Sequence, residues 1–396
     1  MKCIRPLLVV MAVALITFGL SGYALAFHDG GVAYCAGCHT MHNSVDGATV
    51  VPGTPQGVPS LLIRSGPTDT CLRCHAGYGQ FADGNGYGAG GDFYWVTKTW
   101  TWESHGTQES LGDNHGHNVI SPEHGIAMDQ THFFSPGGDY SREWLSCTAC
   151  HDPHGNGNFR LLFGVSGGNA PQPVYDGNGY TFDEPAPLAK GNSRYTNNES
   201  TRGEIETNSQ HTVYKSGMSE WCGNCHETFH DGNTTNYVHP TSESLDELAA
   251  IYNGYMSSMN PTGGVRSTAY WGLVPFEAVN ADLATVDTYN YTQGPEAADQ
   301  VMCLTCHRSH ASAFDDATRW DMHVAFISES VPNVTYDDLG NPVYTGGATQ
   351  EDVDNKYYAY SFERGQRSLC NKCHIKDYGD DPTQDPHMPG AMAGVD

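Results

Sequence analysis

Apolar positions in this chain form one long block and otherwise scatter. The block runs from Leu7 to Leu20 behind Lys2 and Arg5, and it ends in the small residues Ala24-Leu25-Ala26. A positive start, a short apolar core and a small-residue exit read as a secretory signal peptide over residues 1–26, leaving Phe27 as the mature N-terminus. The block is too short for a stable membrane span, and no later segment is apolar enough to make one. The mature chain is therefore expected to be soluble and exported through the periplasm. Cys3 leaves with the peptide. It precedes the apolar block, so it cannot act as a lipid-anchoring cysteine of the usual bacterial kind.

A helical period shows clearly once in the mature chain. From Leu245 to Met259, the residues Leu248, Ile251, Tyr252, Tyr255, Met256 and Met259 share one face, Ser244 and Glu247 read as a capping box, and Pro261 stops the helix. Phe93 to Trp100 is rich in β-formers and reads as a strand. Elsewhere Gly, Asn, Pro and Asp punctuate densely, as in Gly77 to Gly91 and Gly164 to Asn192, which makes loops. The expected fold is mostly irregular coil with a few short helices and short β-hairpins.

Composition sharpens this picture. With 46 Gly, 21 Pro, 22 Tyr and 38% hydrophobic residues, the chain is poor in material for an ordinary core, so something other than side chains should fill the interior. A formal charge of −26 excludes nucleic acid as a partner, because phosphate binding needs a basic surface. It also argues against adhesion to anionic lipid and favours solubility and basic or metal-ion partners.

The cysteines identify the filler. Apart from Cys3, all twelve fall into six CxxCH motifs, at Cys35/Cys38/His39, Cys71/Cys74/His75, Cys147/Cys150/His151, Cys222/Cys225/His226, Cys303/Cys306/His307 and Cys370/Cys373/His374. Two cysteines three apart form thioethers with the vinyl groups of one haem, and the following histidine places an imidazole beneath its iron. A disulfide scaffold has no use for a histidine after every second cysteine, and zinc ribbons do not require one. Six covalently bound haem c groups are expected, and the aromatics of the Phe93 segment are expected to pack against a porphyrin. The first cysteines lie 36, 76, 75, 81 and 67 residues apart, so no fixed repeat beyond the motif is expected.

Each iron has a second axial position. Fourteen further histidines are available, more than twice the six required, and paired imidazoles leave no open iron and suit electron transfer. Met41, Met128 and Met322 are the competing thioether ligands. His42, His154 and His310 follow a proximal histidine by three residues and His230 by four, and none can wrap around the porphyrin to its own iron. Each therefore ligates a different haem or only hydrogen-bonds a propionate or carbonyl. His117, His239 and His28 are further candidates. His105, His115, His124, His132, His211, His323 and His387 are expected to be surface or supporting residues.

Several segments resemble the OmcS-like family of outer-surface hexahaem c-type cytochromes, whose members polymerise into extracellular electron-conducting filaments. The resemblance lies in residues 27–33, 38–44, 91–93, 150–155, 217–222, 307–312 and 369–374, and motif number and order agree over the mature chain. Loops differ, as after His75, and residues 377–396 look like a flexible C-terminal extension of a single hexahaem domain spanning 27–396. The resemblance implies a continuous haem chain of alternating parallel-stacked and T-shaped pairs, with subunits joined head to tail in an open filament. It also implies that His42 ligates a haem of the adjacent subunit, the one held by Cys303, Cys306 and His307. Redox-partner cytochromes and extracellular electron acceptors such as metal oxides, met outside the cell or at its outer surface, follow from the same resemblance.

Two other readings compete. A multihaem reductase would need one haem with an open face, often with Lys in place of the motif His, and no CxxCK occurs. A monomeric periplasmic electron shuttle would share every motif but would not polymerise.

Overall fold

In the computed structural model, the described residues are 35–50, 52, 61–76, 81, 89–103, 107–165, 174–175, 178–191, 211–229, 241–254, 274–291, 294–322, 334–336, 342–344, 352 and 369–373. The signal peptide, the C-terminal extension, Pro261, His28, His230, His239 and His374 lie outside them.

Every motif begins on a helical turn. Five sit on short α-helices, Cys35–Cys38, Pro67–His75, Met218–Gly223, Cys303–Cys306 and Leu369–Cys373, and the third on a 3-10 turn, Cys147–Ala149. A helical turn sets residues three apart on one face, which aims both thiols of a motif in one direction. In the longest of these helices Pro67 opens the first turn, Asp69 follows it, and Arg73 and His75 close the last, as the helix dipole favours. Among the described residues, strands pair as five two-stranded antiparallel hairpins, including Trp100–Glu103 with Thr107–Ser110 and Leu188–Lys190 with Val213–Ser216. The expected architecture of coil, short helices and short hairpins is what forms.

Two local expectations fail. Phe93–Thr97 is a 3-10 turn, and the strand begins only at Trp100. Asp92 redirects the chain, because its carboxylate accepts from Tyr94 N at 2.9 Å and Lys98 N then donates to Trp95 O at 3.0 Å. Phe93, Trp95 and Val96 become buried without alternating, which a tight turn allows and a half-buried strand does not. The helix near Leu245 spans Glu247–Gly254, and the Ser244 capping box does not start it. Ser244 instead bridges to Gln300, Leu245 N and Asp246 N donate to Asp299 O and Ala297 O, and the chain turns into the helix through Asp246 at φ 47°. Tyr252 on its inner face is fully buried, as expected, with Leu248 partly so.

The larger apolar core gathers Trp95, Trp100, Ile126, Tyr252, Phe314 and Leu369, and a smaller one joins Tyr214, Met218, Met302 and Leu304. Both draw on residues remote in sequence. Cys306 and Cys373 pack against the larger and Cys222 against the smaller.

A backbone repeat also appears that the spacing hid. At motifs one, three and five the proximal histidine makes an isolated antiparallel bridge, His39 to Leu62, His151 to Leu162 and His307 to Thr318. The next residue donates to the returning strand, Thr40 N to Leu61 O at 2.7 Å, Asp152 N to Leu161 O at 2.9 Å and Arg308 N to Ala317 O at 2.7 Å. The strand donates back to the second cysteine, Ile63 N to Cys38 O at 3.0 Å, Phe163 N to Cys150 O at 3.0 Å and Arg319 N to Cys306 O at 2.8 Å. The bridge partner lies eleven residues on in motifs three and five but 23 on in motif one, whose longer loop includes the hairpin Ser44–Val45 with Ala48–Thr49. That insertion masks the period in the sequence.

Candidate haem sites

Three of the proximal histidines are oriented by backbone carbonyls. His151 Nδ1 meets Arg160 O at 2.8 Å, His307 Nδ1 meets Asp316 O at 2.7 Å, and His226 Nδ1 meets Pro136 O at 2.8 Å. Two of those carbonyls are offered by left-handed backbone, Arg160 at φ 46° and Asp316 at φ 57°, a conformation non-glycine residues rarely adopt without a compensating contact. Fixing Nδ1 as the donor leaves Nε2 as the acceptor, the arrangement that metal-binding histidines use.

The candidate second ligands arrive opposite them. The His39 and His154 rings face each other with centroids 6.2 Å apart and planes 8° from parallel. His151 and His310 stand 6.5 Å apart at 70°, and His117 and His226 6.1 Å apart at 51°. A metal–imidazole bond of ~2.0 Å on each side, plus about half a ring each, places two axial imidazoles ~6.3 Å apart across one metal. All three pairs match that separation, and each joins a motif histidine to one from elsewhere in the chain.

The second histidines are themselves fixed. His117 Nδ1 meets Ser309 O at 2.6 Å, while His310 N donates to Gly90 O at 2.7 Å. The His310 ring lies over Gly90 so closely that a Cβ there would stand 2.7 Å from its Nδ1, so glycine is required for space. His154 N donates to the Asp152 carboxylate at 2.9 Å. Burial lowers the pKa of His117, His151 and His226, and burial followed by the nearby His151 and His117 pushes His310 down to about 3. These rings are neutral at pH 7, the form that binds iron.

The thiols trace a path in motif order. Cys38 lies in the field of Cys71 and Cys74, Cys71 contacts Cys147, Cys225 lies in the field of Cys150, Cys222 contacts Cys303, and Cys306 lies beside Cys370 and Cys373. Burial pushes Cys150 and Cys306 up to about 12, so both thiols are protonated at pH 7. Two of the junctions are built alike. Cys147 N donates to Thr68 Oγ1 at 3.4 Å and Cys303 N to Ser219 Oγ at 3.0 Å, each acceptor lying three residues before the first cysteine of the preceding motif.

The residues present therefore fit haem c, with paired thiols on one face of a turn, an oriented imidazole beside them, and a second imidazole at axial separation. Among the described residues no group of three or more His, Cys, Asp or Glu donors gathers. A pair of imidazoles is what a porphyrin-bound iron still needs.

Of the sequence candidates, His117, His154 and His310 are brought to a partner ring. His42 and His307 are both exposed, and among the described residues neither faces another ring. His28, His230, His239 and His374 lie outside the described residues. His115, expected to be a surface or supporting residue, is fully buried with both nitrogens engaged, Nδ1 by Trp95 O at 3.0 Å and Nε2 by Ser110 Oγ at 2.7 Å, so it braces the core. Sequence reasoning missed the carbonyls that orient the rings and the role of Gly90. A carbonyl has no side-chain signature, although Gly90 in a run of glycines hinted at a close approach.

No protein-family model matches the chain. The C-type cytochrome OmcS of Geobacter sulfurreducens is 34% identical over 418 residues, 89% of this chain and 95% of its own length. A cryo-EM structure of OmcS nanowires from that organism superposes with a TM-score of 0.68 at 32% identity, covering 89% of this chain and 100% of that one. A structure of the outer membrane cytochrome S filament from the same organism gives 0.66 at the same identity and coverage. The motifs, the facing imidazoles and this likeness over nearly the full length of the relative place the chain in the OmcS family of c-type cytochromes, electron carriers with covalently bound haem c.

Proposed function

We propose that this protein carries six haems in motif order and, as a head-to-tail filament outside the cell, conducts electrons through them. The observation that carries the reading is the set of three imidazole pairs at axial separation, together with thiols that approach one another in sequence order. Bound haem supplies one-electron chemistry. The chain's own residues attach it, orient its ligands and close both faces against substrate.

The repeat gives the pairing a rule. The second histidine of motif three faces motif one, and that of motif five faces motif three, so each of these histidines would hold the iron two motifs back. Extended by one step, His42 of motif one closes the motif-five iron of a neighbouring subunit, whose His307 has no facing ring among the described residues. The even motifs follow a parallel rule. His117, between motifs two and three, faces motif four. By the same offset His28 serves motif two, and His230 or His239 serves motif six. The junction between motif six and the next subunit's motif one then repeats those between motifs two and three and between four and five.

No helix among the described residues is long and apolar enough to cross a membrane. Export by the N-terminal signal, a place outside the cell or on its surface, and transfer to redox-partner cytochromes or extracellular acceptors such as metal oxides complete the reading. The test is the purified mature protein, by mass spectrometry and electron microscopy. Six haems per chain and filaments are expected, and fewer haems or uniformly monomeric particles would refute the reading.

A further inference from the structure

One stretch of backbone, His307 to Ser312, meets the ligands of three motifs. Its first residue is the proximal histidine of motif five, whose N donates to Cys303 O at 3.0 Å and whose Nδ1 meets Asp316 O at 2.7 Å. Two residues on, Ser309 O accepts from Nδ1 of His117 at 2.6 Å, the ring that faces His226 of motif four. His310 presents its own ring to His151 of motif three, while its N donates to Gly90 O at 2.7 Å and its O accepts from His117 N at 2.9 Å. Ala311 bridges Gly91 in parallel on one side and Gly116 in antiparallel on the other, and Ser312 N donates to His115 O at 2.9 Å. Three segments, 90–91, 309–312 and 115–117, thus form one seam with the motif-five segment in the middle. It is dry, since His115, Ala311 and Ser312 are all fully buried. The equivalent histidine of motif three is held locally instead, His154 N donating to the carboxylate of Asp152 in its own loop at 2.9 Å.

Breaking a backbone bond in a dry interior strands a donor or an acceptor, so segments joined by several such bonds shift together or not at all. A carbonyl that accepts from Nδ1 also fixes the rotation and tautomer of a metal-binding imidazole. The middle segment therefore acts on two rings at once, on His117 through carbonyls and on His310 through its own chain. We propose that this segment is a shared mount for the second ligands of motifs three and four, with Ser309 and Gly116 as its positioning residues, so that the two irons keep or lose those ligands as a pair. Gly116 permits the close approach. A Cβ there would stand 2.2 Å from His310 O and 2.6 Å from Ala311 Cα, both backbone atoms that cannot swing aside. Gly90 has a different part, because its Cβ would meet the His310 ring rather than the backbone of the seam. Electron transfer between two haems depends on their relative placement, and the mount fixes that placement for two consecutive links of the conductor. The proposal rests on the reading of the motifs as haem sites.

The test compares two substitutions in the holoprotein by counting high-spin haems in its oxidised absorption and electron paramagnetic resonance spectra. Gly116→Ala drives the His117 segment off the backbone that carries His310, so two haems should turn high-spin together. The motif-three iron is the informative one, since its ligand His310 is remote from position 116 in sequence. Gly90→Ala presses on a single ring, so one haem at most should respond. An effect of Gly116→Ala confined to one haem, or absent, would show that the two ligands are mounted separately and would overturn the proposal. Should Gly116→Ala fail to fold, the unaltered protein decides by titration with cyanide, which displaces second imidazoles from oxidised haem. Two haems should then convert in one concentration step, one of them the 70° pair of motif three, whose near-perpendicular rings give a low-spin signal with a large leading g value. Conversion of that haem alone, in a step of its own, would overturn the proposal. A haem count below six by mass spectrometry would fail the haem reading and the mount with it, whereas separate opening with six haems retained fails the mount alone.

Discussion

The segments His39 to His42, His151 to His154 and His307 to His310 share the pattern CHxxH and a common backbone, yet their second histidines end in different places. His154 and His310 face the proximal rings of His39 and His151 within the chain, each meeting a motif far away in sequence. His42 is exposed between Met41, itself 79% exposed, and buried Asn43, with no facing ring among the described residues. Chain position separates them. A rule that reaches two motifs back finds an iron in the same chain from motifs three and five, and from motif one only in another copy. On the proposed rule the same local chemistry would serve folding in the interior and joining at the end.

The largest effect expected from breaking this comparison comes at the outward copy. His42→Ala should leave a folded, six-haem monomer and abolish filaments in micrographs, because on the proposed rule a metal–ligand bond would hold a strongly acidic surface to its like. Filaments of normal length in the variant would remove His42 from the junction. At an inward copy the result should invert. His154→Ala should turn the motif-one haem high-spin within the monomer, about a sixth of the haem absorbance, while filaments persist.

A subtler change acts through the support of His310. Gly90→Ala places a Cβ against the imidazole, which should cost about 1–3 kcal/mol of stability, read from thermal unfolding, with a partial high-spin signal from motif three. The mildest effect is that of pH. His117, His151, His226 and His310 have folded pKa values below the ordinary one, so in acid the unfolded chain binds more protons than the folded one. Stability should be level above pH ~7 and fall as pH drops below ~6.5, where free imidazole protonates. A melting temperature that rises on acidification would contradict buried, neutral rings.

The attachment chemistry was legible because it is local. A CxxCH turn declares its thiols and its imidazole within five residues, and the scarcity of apolar side chains declared a non-protein filler. The pairing of imidazoles was not, since His151 and His310 meet across a separation of 159 residues that no periodicity records. Local elements were misread where one polar side chain or one long-range bridge overruled propensity. Asp92 turned a β-rich stretch into a 3-10 turn, and the Ser244 bridge to Gln300 displaced a capping box. The threefold repeat was hidden by the longer loop of motif one, which altered the spacing but not the hydrogen bonds.

The most direct measurement is a count of low-spin haems in intact filaments and in subunits dispersed from them without loss of haem. The rule that His42 closes the motif-five iron of its neighbour requires six low-spin haems in the filament. On dispersal one of the six should lose its second imidazole, and on reassembly it should regain it. Six low-spin haems in the dispersed subunit, unchanged on assembly, would show that every iron is closed within its own chain and would contradict ligation across the junction.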